Sequence, residues 1–206
     1  PEQTLRQKRV ALRLRRVGSD DKPQWLQTLK MGSGDSALSQ RGEWETSVPG
    51  AELSLAALEG TPWPGIDPQG ELFRTLAPKF TTRFERTSWT VGQPDGSLVE
   101  VSLDIGQIVA EGKSAALCEL ELELLQGQPQ ALFGLAREIA RSIVVLPEHR
   151  SKAERGYALA EDALSLPVRA RPPSLGAKMS IAEAAQRVLQ EMFCQFTANL
   201  NTLRHG

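Results

Sequence analysis

Acidic and apolar residues alternate at Cys118-Glu119-Leu120-Glu121-Leu122-Glu123-Leu124-Leu125. That is the period of a β-strand, so Glu119, Glu121 and Glu123 share one face and Leu120, Leu122 and Leu124 the other. The opposite sign appears at Val10-Ala11-Leu12-Arg13-Leu14-Arg15, where Arg13 and Arg15 share a face. Val10 to Val17 reads as a strand, Gly18 to Asp21 as a turn, and Gln24 to Met31 as the returning strand of a hairpin. Gln40 to Val48 alternates again, with Arg41, Glu43 and Glu45 on one face.

Leu53 to Gly60 predicts a short helical piece, Thr61-Pro62-Trp63-Pro64-Gly65 a loop, and Leu72 to Pro78 a short helix. Lys79 to Val91, Leu98 to Ile105 and Ala115 to Leu125 read as strands joined by Pro94-Asp95-Gly96 and Glu111-Gly112-Lys113. With strand-like runs following one another through short turns, the pattern predicts an antiparallel meander. Leu132, Leu135, Ala136, Ile139, Ala140 and Ile143 recur at helical spacing, so Ala131 to Val144 should pack on the sheet. Lys152 to Leu164 predicts another short helix. The run from Ser165 to Lys178, with Pro167, Pro172 and Pro173, reads as a linker. Ser180 to Leu203 reads as one amphipathic helix opened by a Ser180–Glu183 capping box. Its stripe of Ile181, Ala184, Ala185, Val188, Met192, Phe196 and Leu200 calls for a partner, either another chain in a homodimer or the chain's own fold.

Composition narrows the function classes. The 206 residues carry a formal net charge of −1. No global field draws the chain to nucleic acid or to a membrane, so a polyanion site must be a local concentration of charge. The two cysteines, Cys118 and Cys194, suggest no disulfide framework, and a cytoplasmic setting is expected. Cys118 alternates to the apolar face and is expected in the core. The tryptophans Trp25, Trp44, Trp63 and Trp89 are expected to pack, and His149 to lie at the surface or cap a helix. The chain starts at Pro1 and is expected to be a fragment.

The charged positions repeat over successive strands: Arg13 and Arg15; Lys30 after Thr28; Arg41, Glu43 and Glu45; Arg83 or Arg86; Asp104; Glu119 and Glu121; and Lys152 on a helix. Solvated outer faces account for any one of them. If the strands instead close into a barrel with these faces inward, the buried charges require partners. Asp104, Glu119 and Glu121 would then supply oxygen ligands to Mg2+ or Mn2+. Arg13, Arg15, Lys30, Arg41 and Arg86 would take the oxygens of a phosphate chain. Such an arrangement suits transfer of a phosphoryl group to water.

The ordered series Ala11-Leu12-Arg13-Leu14-Arg15, Thr28-Leu29-Lys30, Gln40-Arg41-Gly42-Glu43, Phe80 to Arg86, Leu103-Asp104-Ile105-Gly106, Cys118-Glu119-Leu120-Glu121, Ser151-Lys152 and Arg155-Gly156-Tyr157 resembles the CYTH, or triphosphate tunnel metalloenzyme, family. It is most similar to bacterial inorganic triphosphatases that carry a C-terminal CHAD domain. The resemblance covers residues 1 to 163; 164–179 form the linker, and 180–206 resemble the first helix of a truncated CHAD domain, a module linked to polyphosphate. It implies an α+β fold, a closed antiparallel barrel with flanking helices. It implies that Arg13, Arg15, Lys30, Arg86 and Lys152 act on inorganic triphosphate, with Lys30, Arg86 and Lys152 in catalytic roles. It further implies that Glu119 and Glu121, with Asp104 near them, hold metal, and that Arg41, Glu43 and Arg83 contribute less firmly. The family's opening Glu-x-Glu-x-Lys strand has no match before Arg6, and omission of an N-terminal part is expected. Thiamine triphosphatase, an adenylate cyclase of the CYTH type, and a non-catalytic polyphosphate- or nucleotide-binding module are the competing readings.

Overall fold

The computed structural model describes residues 4–19, 21–32, 42–148 and 150–203. The fold is α+β, and contacts divide it into two units, Pro1–Pro78 and Lys79–Gly206. Among the described residues no helix is long and apolar enough to cross a membrane.

In the first unit, a single helical turn α1 (Thr4–Gln7) precedes strands β1 (Val10–Val17), β2 (Gln24–Met31) and β3 (Gly42–Val48). They form an antiparallel sheet in the order β1-β2-β3. Alternation sends Val10, Leu12, Leu29, Met31 and Trp44 to one face, where Leu58, Trp63, Leu72 and Phe73 close a core over them. The charged alternates are left on the other face. Buried Gln27 ties the chain beyond β3 to the sheet by accepting from the Ser54 amide and donating to its carbonyl.

The connecting segment differs from expectation. Helix in 53–60 is limited to the 3-10 turn Ala56–Leu58. The expected loop at Thr61–Gly65 instead starts a helix, α2 (Trp63–Ile66). Pro64 is tolerated there because an amide in a first helical turn has no partner to lose. Trp63 is only 1% exposed and meets Phe73 edge-on, with ring centroids 6.2 Å apart. Helix α3 (Glu71–Arg74) is shorter than expected and begins where the Asp67 carboxylate accepts from the Leu72 and Phe73 amides.

The second unit is built on a meander of β4 (Thr81–Gly92), β5 (Leu98–Ala110) and β6 (Lys113–Gln126). The three runs named in this region form three strands, and the run expected to end at Ile105 continues to Ala110. Gly106 hides that continuity in the sequence. It pairs with Phe84, and a Cβ there would lie 2.0 Å from the Arg83 carbonyl oxygen, so close strand approach requires glycine. Glu111 and Gly112, with φ of 48° and 78°, make the two-residue turn between β5 and β6.

Each face of this sheet takes a helix. On one, α4 (Gln130–Ser142) lays Ala131, Leu135 and Ile139 against Val99, Val101, Leu120, Leu122 and Leu124. On the other, α5 (Lys152–Ala160) brings Ala158 and Leu159 onto Ile108, Ala110 and Ala115. Ser151 and Glu154 close a capping box at its start. Gly156 lets α5 approach closely, since a Cβ would come within 2.3 Å of the Phe80 ring.

Two expectations about this sheet fail. Cys118 is exposed, not in the core. It shares the leucine face, but the apolar contacts with α4 start at Leu120, and its cross-strand partner Ile105 is 55% exposed. Trp89 is half exposed on the same face rather than packed.

The final helix is α6 (Ile181–Thr202), opened by the Ser180–Glu183 box. The segment before it is docked on it. Asn199 donates to the Val168 carbonyl and accepts from the Val168 amide, and Thr202 donates to the Leu166 carbonyl. The covered stripe runs through Val188, Gln195, Ala198 and Thr202. Ile181, Met192 and Phe196, expected to need cover, are 90%, 61% and 62% exposed. The docking contacts are side-chain hydrogen bonds, so they select the more polar stripe.

Candidate functional site

Strand register places Arg86, Asp104 and Glu119 side by side on β4, β5 and β6. The next row on that face is Ser88, Ser102 and Glu121. One carboxylate oxygen from each of Asp104, Glu119 and Glu121 lies within 4.8 Å of the others. Asp104 is fully buried. Such a trio is stable only with compensating positive charge. Arg86 supplies part of it through a fork on Asp104, Nε to Oδ1 and Nη2 to Oδ2, both 2.7 Å, and reaches Glu121 Oε2 at 2.5 Å.

Lys152, the first residue of α5, supplies more. Its Nζ lies 2.8 Å from Asp104 Oδ2 and 2.8 Å from Glu121 Oε1, and it donates to Glu119 Oε1. Arg155 completes the set from the next position on the same helix face, three residues on. It donates from Nη1 to Glu119 Oε2 at 3.0 Å and from Nη2 to the Ala116 carbonyl at 2.8 Å. The Phe84 ring underlies the cations, its centroid 5.3 Å from Lys152 Nζ and 5.7 Å from the Arg86 guanidinium carbon.

These contacts set the charge states. Burial alone would raise the pKa of Asp104, but hydrogen bonds from Arg86 and Lys152 outweigh it, and the result is lowered. Glu121 is lowered in the same way, burial being overcome by Lys152 and then Arg86. Burial alone would lower Lys152, yet its bonds to Asp104, Glu119 and Glu121 raise it. The hydrogen bond to Asp104 is the main reason Arg86 is raised. Lys152 is therefore a fixed cation rather than a proton acceptor at neutral pH.

In the first unit, β1–β2–β3 pairing aligns Arg13 with Thr28 and Glu45, and Ala11 with Lys30 and Glu43. Arg15 donates from Nη2 to Glu45 Oε2 at 2.8 Å. Thr28 also donates to that oxygen, at 2.9 Å, and accepts from Arg13 Nη2 at 3.3 Å. Lys30 pairs with Glu43 at 2.9 Å. Arg13 stands 3.8 Å from both glutamates. Burial alone would raise the Glu45 pKa, but the Thr28 hydrogen bond and the Arg15 charge lower it. Arg15 Nε is buried with no hydrogen-bond partner among the described residues. The charged side chains of this group stay about a third exposed or more, around a buried Thr28.

The expected residues thus gather into two groups: Arg13, Arg15, Lys30 and Glu43 on one sheet, and Arg86, Asp104, Glu119, Glu121 and Lys152 on the other. Arg83 does not join its group. It is exposed, pairs with Gln107, and has the opposite parity to Arg86 on β4, so it points to the other face. Arg41 and His149 lie outside the described residues. Sequence reasoning missed Arg155, Phe84 and the roles of Thr28 and Glu45. The last two were within reach, since period two puts Thr28 beside Lys30 and Glu45 beside Glu43. Arg155 required knowing which side of α5 meets the sheet.

The CYTH domain family matches residues 1–157. A curated inorganic triphosphatase of Haemophilus influenzae is 31% identical over 160 residues, which are 77% of this chain and 43% of that protein. The chain therefore spans less than half the length of that relative.

Proposed function

Because the chain belongs to the CYTH domain family, we propose that it hydrolyses inorganic triphosphate with the help of a divalent cation, Mg2+ or Mn2+. The observation that carries the reading is the trio Asp104, Glu119 and Glu121, with oxygens converging within 4.8 Å and cations already drawn to them. The donor chemistry fits a hard cation, since all three ligands are carboxylates. When bound, that ion neutralises phosphate charge as the bond to the leaving phosphate breaks.

The chain's own side chains do the rest in this proposal. Arg13, Arg15, Lys30 and Arg41 bind phosphate oxygens. The unpartnered Arg15 Nε offers a donor whose burial costs about 1–3 kcal/mol until an oxygen accepts from it. Arg86 and Lys152, held as cations by the carboxylates, stabilise the charge that spreads over the transferred phosphoryl group. Glu43 and Glu45 orient the basic side chains. Glu119 and Glu121 hold the metal with Asp104, and Arg155 keeps Glu119 in place. Residues 1–163 form the catalytic part, 164–179 a connector, and 180–206 the opening helix of a further domain.

Phosphate release from inorganic triphosphate, measured on the 206 residues and in parallel on the encoded protein at full length, tests this. Release that needs Mg2+ or Mn2+, stops in EDTA and exceeds release from thiamine triphosphate supports it. Faster cleavage of an organic triphosphate changes the substrate. Tight binding of triphosphate without cleavage at full length replaces the enzyme with a binding module.

A further inference from the structure

The carboxylates assigned above to a divalent cation do not surround open space. Lys152 Nζ already lies against an oxygen of each: Asp104 Oδ2, Glu119 Oε1 and Glu121 Oε1. A lysine ammonium is a compact cation, and it competes for the same lone pairs a metal ion uses.

Charge balance sharpens the point. Three carboxylates here face three cations, Arg86, Lys152 and Arg155. A divalent ion added with nothing leaving would put two uncompensated positive charges into a partly buried cluster, which is costly. Of the three cations, Lys152 is the one free to go. Arg155 is 7% exposed and also tied to the Ala116 carbonyl. Arg86 forks onto Asp104 through two bonds. Lys152 has a flexible stem, and its helix need not move with it, because Gly156 against Phe80 and the packing of Ala158 and Leu159 hold α5 to the sheet.

The position of Lys152 on its helix points the same way. It is the first residue after the cap Ser151, where a positive charge opposes the helix dipole. The carboxylates compensate for that placement, and they cease to do so once another cation takes their oxygens.

We propose that Lys152 is the resident counter-ion of the Asp104–Glu119–Glu121 trio, and that a divalent cation binds by exchange with its ammonium. Metal binding and release of Lys152 toward the phosphates are then one event. This rests on the function proposed above, and it adds that the lysine weakens metal binding while no substrate is present.

The test is Mn2+ binding to the full chain without triphosphate, read from the electron paramagnetic resonance signal of free Mn2+. Melting of each variant in EDTA establishes that it is folded. Lys152→Met is expected to bind Mn2+ about tenfold more tightly than the parent, and Lys152→Arg, which keeps a cation, is not. Lys152→Gln, neutral and polar, should follow Lys152→Met and serves if the methionine variant does not fold. Equal or weaker binding by the neutral variants, with binding lost in Glu121→Gln, would overturn the exchange and leave the metal site standing. Absence of Mn2+ binding in every variant and in the parent would remove the metal reading and the exchange together.

Discussion

Two three-stranded sheets each carry a charged face, and the two faces solve the same electrostatic problem differently. On β1–β2–β3, Arg13, Arg15 and Lys30 meet Glu43 and Glu45 without a forked pair, and each of these five remains about a third exposed or more. On β4–β5–β6, Asp104 is fully buried under forked and shared bonds from Arg86 and Lys152. The difference comes from α5, whose Lys152 and Arg155 cover that face. The covered part, Asp104, Glu119, Lys152 and Arg155, must balance its charge internally, since water screens it less, while Arg86 and Glu121 at its edge remain 36% and 47% exposed. An open face can keep basic groups in excess and let a ligand complete the balance. The first arrangement suits gripping an anion, and the second suits holding a cation in a defined place.

The largest effect is expected where the comparison is starkest. Asp104→Asn removes the charge that Arg86 and Lys152 share, and should lower unfolding stability by about 3 kcal/mol. The paired change on the open face, Glu45→Gln, should cost under about 1 kcal/mol. Urea denaturation of both variants measures the contrast, and equal losses would mean that coverage by α5 is not what separates the two faces.

Next come the open-face cations. Arg15→Ala should weaken triphosphate binding by about a hundredfold, the value of a charge-assisted pair to phosphate, with little change in melting temperature. A large drop in melting temperature with unchanged KM would recast Arg15 as a structural residue.

A smaller difference should appear along β6. Glu119→Gln and Glu121→Gln are expected to raise the Mn2+ concentration needed for half-maximal phosphate release by about tenfold, and Glu123→Gln much less. Glu123 shares their face but pairs with Glu100, one row beyond the trio. Equal shifts in all three would point to general loss of negative charge rather than to a site.

The smallest effect concerns acid. The folded pKa of Glu45 lies below its ordinary value of 4.5. Its contribution to stability is therefore fully present above that value, and is lost as pH falls through the lowered one. The loss between neutral pH and acid should shrink in Thr28→Val, which removes one of the hydrogen bonds responsible. Denaturation at a series of pH values checks the sign, and an unchanged slope would discount Thr28 as a cause.

Much of this was readable in one dimension. Period-two alternation assigned Arg13 and Arg15, and Glu119 and Glu121, to common faces before any fold was known. The capping box expected at Ser180 formed, and Ser151 with Glu154, at the same spacing, formed another. A pattern of period two says which residues share a face, but it is silent on what lies above that face. Cys118 has the parity of Leu120, yet it is exposed, because the packing of α4 starts one row further on. Trp89 is exposed on the same side. The stripe of α6 was drawn from its apolar residues; Ala184, Val188 and Leu200 of it are partly covered, while hydrogen bonds from Asn199 and Thr202 to the preceding segment turn the cover toward Gln195, Ala198 and Thr202 and leave Ile181, Met192 and Phe196 exposed.

By itself, then, the sequence determined the strands, their charged and apolar faces and the ends of two helices, because backbone geometry and local hydrogen bonds act over a few residues. Tertiary structure decided that Lys152 and Arg155 meet Glu119, more than thirty positions away in the chain. It also decided that Asp104 is buried and that Arg86, rather than Arg83, is the one that meets it. Those outcomes depend on strand register and on where a helix docks, and both are set by the burial of apolar surface shared among distant segments.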